Sequence, residues 1–373
     1  MKQFFQENNP KRHKLINDDF SQDPPKDGRR STLLAAGNDD INTPESLKEH
    51  LQIAIEIEHS TIPPYLCALY SIKEGTNEVA AAIIRSVVVE EMLHMIMVAN
   101  ILNAIGGKPS INSKKFIPVY PASLPHSNNA FEVDLQKFSK DTIRTFLKIE
   151  KPSEHSAPRQ PHQYNTIGQF YAALRKGLIF CEENTVGGIF IGDPSMQVTS
   201  EHYYGSGGKL TSVYSLKNAL LAMDEIVGQG EGIDGTIHDA DDPLFGDDIE
   251  YAHYFRFNEI LHERFYQSTD TPQHYPSGKK LDVDWDTVYN MSKNPKMSNY
   301  PKGSELWEKS RSFNETYKAL LDNIHRACNG EPASLRDGIA LMYDLKYKAI
   351  ELMKIPLENS EYSAGPTFEY LED

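Results

Sequence analysis

The sequence predicts a mainly α-helical protein: an antiparallel four-helix bundle with long crossover insertions and an additional C-terminal helical hairpin. Three observations support this fold class. Two long segments with helical periodicity, 44–73 and 78–105, are joined by a turn of four residues. Further helical segments follow, separated by irregular stretches that are rich in Pro, Gly, Ser and Asn. No part of the pattern indicates a parallel sheet or a short-period repeat.

The first two helices are the best defined by sequence. Helix one begins after Thr43, a residue type that caps helix N-termini, and Pro44 occupies the first turn, where its missing N–H is harmless. It ends near Lys73. Helix two covers Glu78 to Ile105 and is stopped by Gly106-Gly107. Because the connecting turn is so short, we expect an antiparallel hairpin.

The later helices are separated by longer connections. A crossover occupies 108–164, and any short strands are expected around 116–120. The irregular stretch 187–208 is a second long connection. The remaining helices are predicted at 166–182, 215–229, 247–268, 303–327 and 334–354. The last two form the C-terminal hairpin.

The domain organisation follows from this pattern. Residues 1–30 are polar and have no apolar run, so we expect a flexible N-terminal arm. We assign 31–290 to the helical bundle with its insertions. Residues 291–373 are expected to form a C-terminal hairpin and tail that pack on the bundle.

The charge balance limits the classes of partner. The chain has 53 acidic and 38 basic residues and a net charge of -15. It offers no basic stripe, which argues against nucleic acid and anionic membrane surfaces as partners. A small-molecule substrate fits better, and a homo-oligomer stays open.

The cysteines indicate a reducing compartment. Cys67, Cys181 and Cys328 lie far apart, so we expect neither a disulfide framework nor a thiolate metal site. The chain also lacks an uninterrupted apolar run of about 18 residues. We therefore expect a cytoplasmic protein.

Candidate metal ligands interrupt the apolar faces of the first hairpin. Glu58 lies in an otherwise apolar helical stripe, which comprises Leu47, Leu51, Ala54, Glu58, Ile62, Tyr65 and Leu69. In helix two, Glu91 and His94 occupy the equivalent face, one turn apart. Burying a carboxylate or an imidazole without a partner is costly, so these groups need one.

The register of the hairpin brings these three residues to one level. Glu58 lies about 17 residues before the centre of the turn, while Glu91 and His94 lie about 15 and 18 residues after it. At a rise of roughly 1.5 Å per residue they reach the same height. A lone Glu on one helix and Glu-x-x-His on the next is half of a di-iron carboxylate site. Oxygen and imidazole ligands suit iron or manganese.

The second half of such a site requires another Glu-x-x-His pair. Helix five contains two, Glu250 with His253 and Glu259 with His262. Only one of these pairs is needed. The other is expected on the solvated outer face, where charged residues of a helix more often lie.

Helix four would supply the remaining carboxylate. Glu231 would lie near the level of Glu250, and Glu225 near the level of His253, if helices four and five are antiparallel. The loop 232–246 is too long to fix the register, so spacing alone leaves both open.

Several separated motifs together resemble one known family. They are Glu58-His59-Ser60-Thr61-Ile62-Pro63-Pro64-Tyr65-Leu66, Glu90-Glu91-Met92-Leu93-His94, Gln229-Gly230-Glu231-Gly232, 250–257 and Ala364-Gly365-Pro366-Thr367-Phe368-Glu369. With these motifs in order over roughly 31–370, the chain resembles the ferritin-like family named after iminophenyl-pyruvate dimer synthase. That family is related to a domain of the violacein and rebeccamycin pathway enzymes, which couple two imines derived from tryptophan.

The resemblance implies a ferritin-like bundle with a di-metal site. It favours the pair that begins at Glu250 over the pair that begins at Glu259. Helix three of the family often carries a Glu where this chain has Gln169, so Glu231 is the preferred sixth ligand. The ligand set implied in this way is Glu58, Glu91, His94, Glu231, Glu250 and His253. It would hold two iron ions, with manganese as an alternative and dioxygen as co-substrate.

The function expected from this resemblance is a metal-dependent, di-iron oxidase or oxygenase. Its substrate would be a small amino-acid-derived molecule of secondary metabolism. One alternative is a metal-storage or peroxide-scavenging protein of the same fold. The other is a non-catalytic bundle whose site is altered at Gln169.

Overall fold

The computed structural model describes residues 41–123, 132–152, 166–203, 205, 207–231, 236–238 and 251–372. Residues 41–373 form one compact unit. The mainly helical fold expected from sequence is confirmed. The expected N-terminal arm lies outside the described residues, and the domain boundaries at 30 and 290 stay predictions.

Eight α-helices lie in the described part of the chain. They are α1 (Pro44–Ser71), α2 (Glu78–Ala104), α3 (Lys140–Ile149), α4 (Ile167–Asn184), α5 (Leu216–Glu231), α6 (His253–His262), α7 (Glu305–Ala327) and α8 (Leu335–Met353). Short 3₁₀ turns occur at Pro194–Met196, Met297–Asn299 and Pro332–Ser334. The β-pairing between described residues is limited to isolated bridges.

The hairpin of α1 and α2 forms as the sequence predicts. Thr43 caps α1, because its side chain accepts a hydrogen bond from the Ser46 amide at 3.1 Å. Gly75 takes a φ of +77° in the connecting turn, a conformation that glycine adopts without strain. The two helices bury their apolar stripes against each other.

Four helices close the bundle. The α4 helix packs on α1, α5 packs on α2, and α4 and α5 pack on each other. Two shorter helices cover this bundle: α3 contacts α1 and α6, and α6 also contacts α2 and α5. Residues of α1, α2, α3 and α6 can therefore meet inside one core.

The long crossover differs from its prediction. It contains α3, which the sequence reading assigned to irregular structure, and no strand forms over 116–120. The Ser139 side chain caps α3 by accepting a hydrogen bond from the Thr142 amide at 3.1 Å. Ile143, Phe146 and Ile149 are buried on its inner side. This ten-residue helix is held by packing, since helices of that length are unstable alone.

The helix predicted over 247–268 is shorter in the structure. It begins at His253 and ends at His262, and Glu263 follows with a φ of +55°. That left-handed residue stops the helix and turns the chain, so that Arg264 bridges to Lys280. The predicted helical bounds are therefore wrong at both ends.

The C-terminal hairpin of α7 and α8 contacts the bundle. The Tyr317 hydroxyl of α7 lies 2.7 Å from His59 Nε2 of α1, and both groups are buried. Asn314 donates to the Thr367 side chain at 2.7 Å, which anchors the C-terminal tail to α7.

All three cysteines are buried free thiols, as the sequence predicts. In the part of the chain that the structure describes, no helix combines the length and apolar content needed to cross a membrane.

Candidate metal centre

The hairpin brings together its three predicted ligands. Glu58 of α1 and Glu91 and His94 of α2 are all buried, and one ligand atom of each lies within 4.8 Å of the others. His94 Nδ1 is 3.4 Å from Glu58 Oε2 and 4.0 Å from Glu91 Oε1. We call this group the hairpin position.

A second group adjoins the first and shares one carboxylate with it. Glu91, Glu150 and His253 also offer ligand atoms within 4.8 Å of one another, and all three are buried. His253 Nδ1 is 3.0 Å from Glu91 Oε1 and 3.4 Å from Glu150 Oε2. We call this group the crossover position, since Glu150 ends the helix in the crossover. Glu91 therefore lies between two places where a cation would fit.

Hydrogen bonds orient each of the three carboxylates. The Tyr171 hydroxyl donates to Glu58, and the Tyr65 hydroxyl donates to Glu150. The Thr61 hydroxyl, one turn from Glu58, donates to Glu91 Oε2 at 3.0 Å. Each donor occupies part of a carboxylate and leaves its remaining lone pairs available.

His253 is held on its outer side by an ion pair. Its Nε2 lies 2.8 Å from Glu90 Oε2. Arg256 grips the same carboxylate with two nitrogens, at 2.7 Å and 2.8 Å. In a metal-bound centre, the proton of His253 would stay on Nε2 beside Glu90, and its Nδ1 lone pair would face Glu91 and Glu150.

His94 is held on its outer side by an amide. Its Nε2 lies 2.6 Å from Gln229 Oε1, and the Gln229 amide group donates to the Gly207 carbonyl at 3.0 Å. The next residue, Gly208, has a φ of +123°, and a Cβ there would lie 2.6 Å from Gln229 Nε2. The turn at 207–208 therefore packs directly against the amide that orients His94.

The centre places three carboxylates around two imidazoles, and these groups shift the pKa values of one another. Burial, together with the charges of Glu150 and Glu58, raises the pKa of Glu91 to about 8. Burial also opposes ionisation of Glu58, but the hydrogen bond and charge of His94 lower its pKa. Burial disfavours the charged form of His253 as well, yet the charge of Glu150 raises the pKa of that imidazole well above its usual value. A bound cation would offset the charge of these carboxylates.

Glu90 behaves differently from the carboxylates inside the centre. Burial alone would raise its pKa, but the Arg256 charge and the hydrogen bond from His253 outweigh burial and lower it to about 2. Glu90 is thus an anion that is already satisfied, whereas Glu91 is not.

One buried atom supports a metal directly. His253 Nδ1 is buried and lies 3.0 Å and 3.4 Å from two carboxylates, in contacts that lack good hydrogen-bond geometry. A buried nitrogen without a hydrogen bond is costly unless it binds something else. Three carboxylates and two imidazoles form a donor set that suits iron or manganese, so these residues fit the di-metal group that the sequence implies.

A small cavity reaches the centre. It has a volume of about 30 Å³ and borders Glu58, Glu91, His94, Glu150 and Tyr171. Its other walls are mostly aliphatic and include Ile149, Ile167, Ile226 and Val227. One water requires about 10–15 Å³ and benzene fits a cavity of about 150 Å³, so this space admits a small group and not an aromatic ring.

The alternative pair, Glu259 with His262, lies in α6 and outside the centre. Glu259 is buried, but its Oε1 accepts a hydrogen bond from the Tyr266 amide at 2.7 Å. His262 packs its ring against Tyr275, with the centroids 4.2 Å apart. Among the described residues, His253 is therefore the histidine of helix five that joins the centre. Glu250 lies outside the described residues.

The remaining candidate ligands lie in α4 and α5, which are helices three and four of the sequence analysis. Glu225 is buried, and its Oε1 lies 3.5 Å from the Lys209 amide, so neither ligand group contains it. Glu231 is the last residue of α5, and its side chain is not among those described. Gln169 lies in the first turn of α4, where its backbone N–H donates a hydrogen bond to the Thr166 hydroxyl.

Glu150 is the site residue that the sequence reading missed. A detectable signal existed: Glu150 continues the apolar helical spacing of Ile143 and Phe146, just as Glu58 interrupts an apolar stripe in α1. A cap at Ser139 precedes it. The surrounding Pro-rich and Ser-rich crossover obscured this short helix. The outer partners Glu90 and Arg256 left no comparable signal, because their pairing depends on tertiary packing.

Two curated enzymes are similar to this chain. It is 22% identical over 314 residues to dichlorochromopyrrolate synthase of Lentzea aerocolonigenes, covering 75% of this chain and 29% of that protein. It is 24% identical over 263 residues to 2-imino-3-(indol-3-yl)propanoate dimerase of Chromobacterium violaceum, covering 60% of this chain and 24% of that protein. The matched regions thus cover 29% and 24% of the lengths of these relatives.

A solved structure and a family model agree with the bundle. A ferritin-like protein from Caulobacter vibrioides superposes with a TM-score of 0.58 at 23% identity, covering 86% of this chain and 96% of that one. At that identity the likeness shows the fold alone. The Ferritin-like family model matches residues 51–262, more than half of the chain and a range that contains the five candidate ligands that the structure describes. The chain belongs to the Ferritin-like family.

Proposed function

We propose that this chain is a metal-dependent oxidase or oxygenase that holds two iron ions and acts on a small amino-acid-derived substrate of secondary metabolism. The observation that carries the proposal is the pair of buried ligand groups that share Glu91. Ferritin-like bundles build di-metal sites from inward carboxylates and histidines of this kind. Manganese would fit the same donor atoms.

The protein's own groups have distinct roles in this proposal. Glu58 and His94 would hold one ion, Glu150 and His253 the other, and Glu91 would bind both. Paired iron ions would supply the redox chemistry with dioxygen that side chains cannot perform. The tyrosine hydroxyls on Glu58 and Glu150 fix those carboxylates, and the aliphatic walls of the cavity restrict water.

The substrate class rests on the relatives and on the size of the cavity. The Chromobacterium relative is named for 2-imino-3-(indol-3-yl)propanoate, an imine that corresponds to an amino acid. Only a small group fits into about 30 Å³. The reactive end of such a molecule would therefore enter, while its ring stays outside the cavity.

Metal analysis tests the proposed centre. Protein purified without added metal is expected to contain about two irons per chain. Glu91→Ala should lose both, because each group uses that carboxylate. Glu49→Ala, which removes an exposed carboxylate from the same hairpin, should keep both. Absence of bound metal after anaerobic iron loading would refute the centre.

Turnover tests the reaction class. The iron-loaded protein should consume dioxygen faster when 2-imino-3-(indol-3-yl)propanoate is supplied, and mass spectrometry should detect an oxidised or coupled product. Glu91→Ala is the matched control. Iron oxidation at the same rate with and without any organic substrate would instead indicate storage or peroxide removal.

A further inference from the structure

We infer that the two metal positions are unequal: the crossover position binds a metal ion more tightly and fills before the hairpin position. This inference rests on the proposed di-metal centre and adds an order of filling to it. Three independent features of the structure support it.

The outer partners of the two histidines differ in charge. His253 Nε2 faces the Glu90 carboxylate at 2.8 Å, whereas His94 Nε2 faces the Gln229 amide oxygen at 2.6 Å. A hydrogen bond to an ionised acceptor is about twice as strong as one between neutral groups. A carboxylate behind a metal-bound imidazole also raises the basicity of that ligand. His253 is therefore the stronger donor.

The anion behind His253 is also fixed in place. Both guanidinium nitrogens of Arg256 contact Glu90, and one of them also lies 3.0 Å from the Ser86 hydroxyl. All of these groups are at least partly buried, and Glu90 is only 1% exposed. A bidentate pair in a buried setting allows little rotation of the carboxylate. Its effect on His253 is therefore not lost to solvent.

The donor atoms of the crossover position are closer together. His253 Nδ1 is 3.0 Å and 3.4 Å from its two carboxylates, against 3.4 Å and 4.0 Å for His94 Nδ1. Groups that are already close need less rearrangement to close around an ion. This difference again favours the crossover position.

The cavity favours exchange at the hairpin position. All three ligands of the hairpin position line it, and so do Glu91 and Glu150 of the crossover position, but His253 is fully buried and is not among the lining residues. An ion at the hairpin position would therefore face whatever enters the cavity. The less tightly held ion would be the one that the substrate or dioxygen meets.

Titration with Mn²⁺ measures the order of filling. The metal-free full-length chain should bind two equivalents in separate steps, with apparent dissociation constants at least ten-fold apart. The first equivalent should give the EPR spectrum of isolated Mn²⁺, and the second should give a spin-coupled pair. His94→Ala should keep the tight step, and His253→Ala should keep only the weak one.

Variants of the outer partners identify the cause. Glu90→Gln should weaken the tight step by about 10–100-fold, the usual effect of losing such a partner, and bring the two steps together. If Glu90→Gln does not fold, Arg256→Lys replaces it in the experiment. This variant keeps a positive charge beside Glu90 and should weaken the tight step by a smaller factor. Glu49→Ala, which removes an exposed carboxylate of α1, is the control and should change neither step, while Gln229→Ala should weaken only the weak step.

The outcomes separate this inference from the proposal beneath it. Two steps of equal affinity, or a tight step that disappears in His94→Ala, would overturn the order while leaving the di-metal centre intact. No Mn²⁺ binding to the folded wild type would overturn both.

Discussion

The two candidate metal positions share Glu91 but are assembled in different ways. Every ligand of the hairpin position comes from α1 and α2, which are neighbours in sequence and joined by a short turn. The crossover position takes Glu150 from the C-terminal end of the ten-residue helix α3 and His253 from α6. His253 and its outer partner Glu90 are 163 residues apart along the chain. Only Glu91 is local to the hairpin.

The comparison shows two ways of fixing a ligand. In the hairpin, register and helix periodicity bring the side chains to one level, so the backbone does most of the positioning. The crossover position adds a charged side-chain network, since Glu90 and Arg256 hold His253. A tyrosine hydroxyl supports one carboxylate in each position. The position with remote ligands has the more strongly charged support.

The largest effect is expected when the remote carboxylate is removed. Glu150→Ala should abolish the crossover position and turnover, and leave one metal per chain at the hairpin position, as measured by metal analysis. Glu225→Ala, a buried carboxylate that belongs to neither group, is the control and should keep two. Two metals in Glu150→Ala would show that another residue, such as Glu231, completes the site.

The hairpin position could be predicted from sequence because its geometry is local. Glu58, Glu91 and His94 were predicted from two observations: they interrupt apolar helical stripes, and they lie at similar distances from the connecting turn. His253 depended on the family resemblance to be chosen over His262, because helix five offers two equal spacings. Glu150 was missed, since its helix is stable only in contact with α1 and α6. Long-range partners such as Arg256 leave no periodic pattern.

The next effect concerns the turn behind His94. Gly208→Ala should weaken the hairpin position about ten-fold or more, because the new Cβ would lie 2.6 Å from Gln229 Nε2 and 2.9 Å from Leu93 Cδ2. Mn²⁺ titration measures it. Gly75→Ala also places alanine at a positive φ, but nothing lies within 4 Å of the new Cβ, so its metal affinities should match wild type.

A smaller effect should separate the two tyrosines. Tyr171→Phe removes the donor to Glu58 and should weaken only the hairpin position, whereas Tyr65→Phe removes the donor to Glu150 and should weaken only the crossover position. A hydrogen bond to a charged group contributes about 1.5–3 kcal/mol, so each loss should be about 10–150-fold. Equal weakening of both steps by either variant would contradict the separate assignment of the carboxylates.

The smallest effect on metal concerns the alternative pair of helix five. Burial raises the pKa of Glu259 to about 7, so the folded state favours its neutral form. The contribution of neutral Glu259 to the free energy of unfolding is complete below pH 4.5 and is lost as the pH rises to about 7. At 1.36 kcal/mol per pKa unit, the loss is up to about 3 kcal/mol. Glu259→Gln should remove that loss in urea unfolding curves recorded between pH 5 and 8.

Metal content gives the second half of that test. Glu259→Gln should still bind two metals, because Glu259 accepts a hydrogen bond from the Tyr266 amide and lies outside both ligand groups. Loss of a metal in this variant would return Glu259 and His262 to the ligand set.

Anomalous X-ray diffraction from crystals loaded with iron tests the shared centre most directly. Data collected on both sides of the iron absorption edge should show two peaks per chain, one among Glu58, Glu91 and His94 and the other among Glu91, Glu150 and His253. Both should contact the Glu91 carboxylate. A single peak, or two peaks of which one lacks Glu91, would contradict the account.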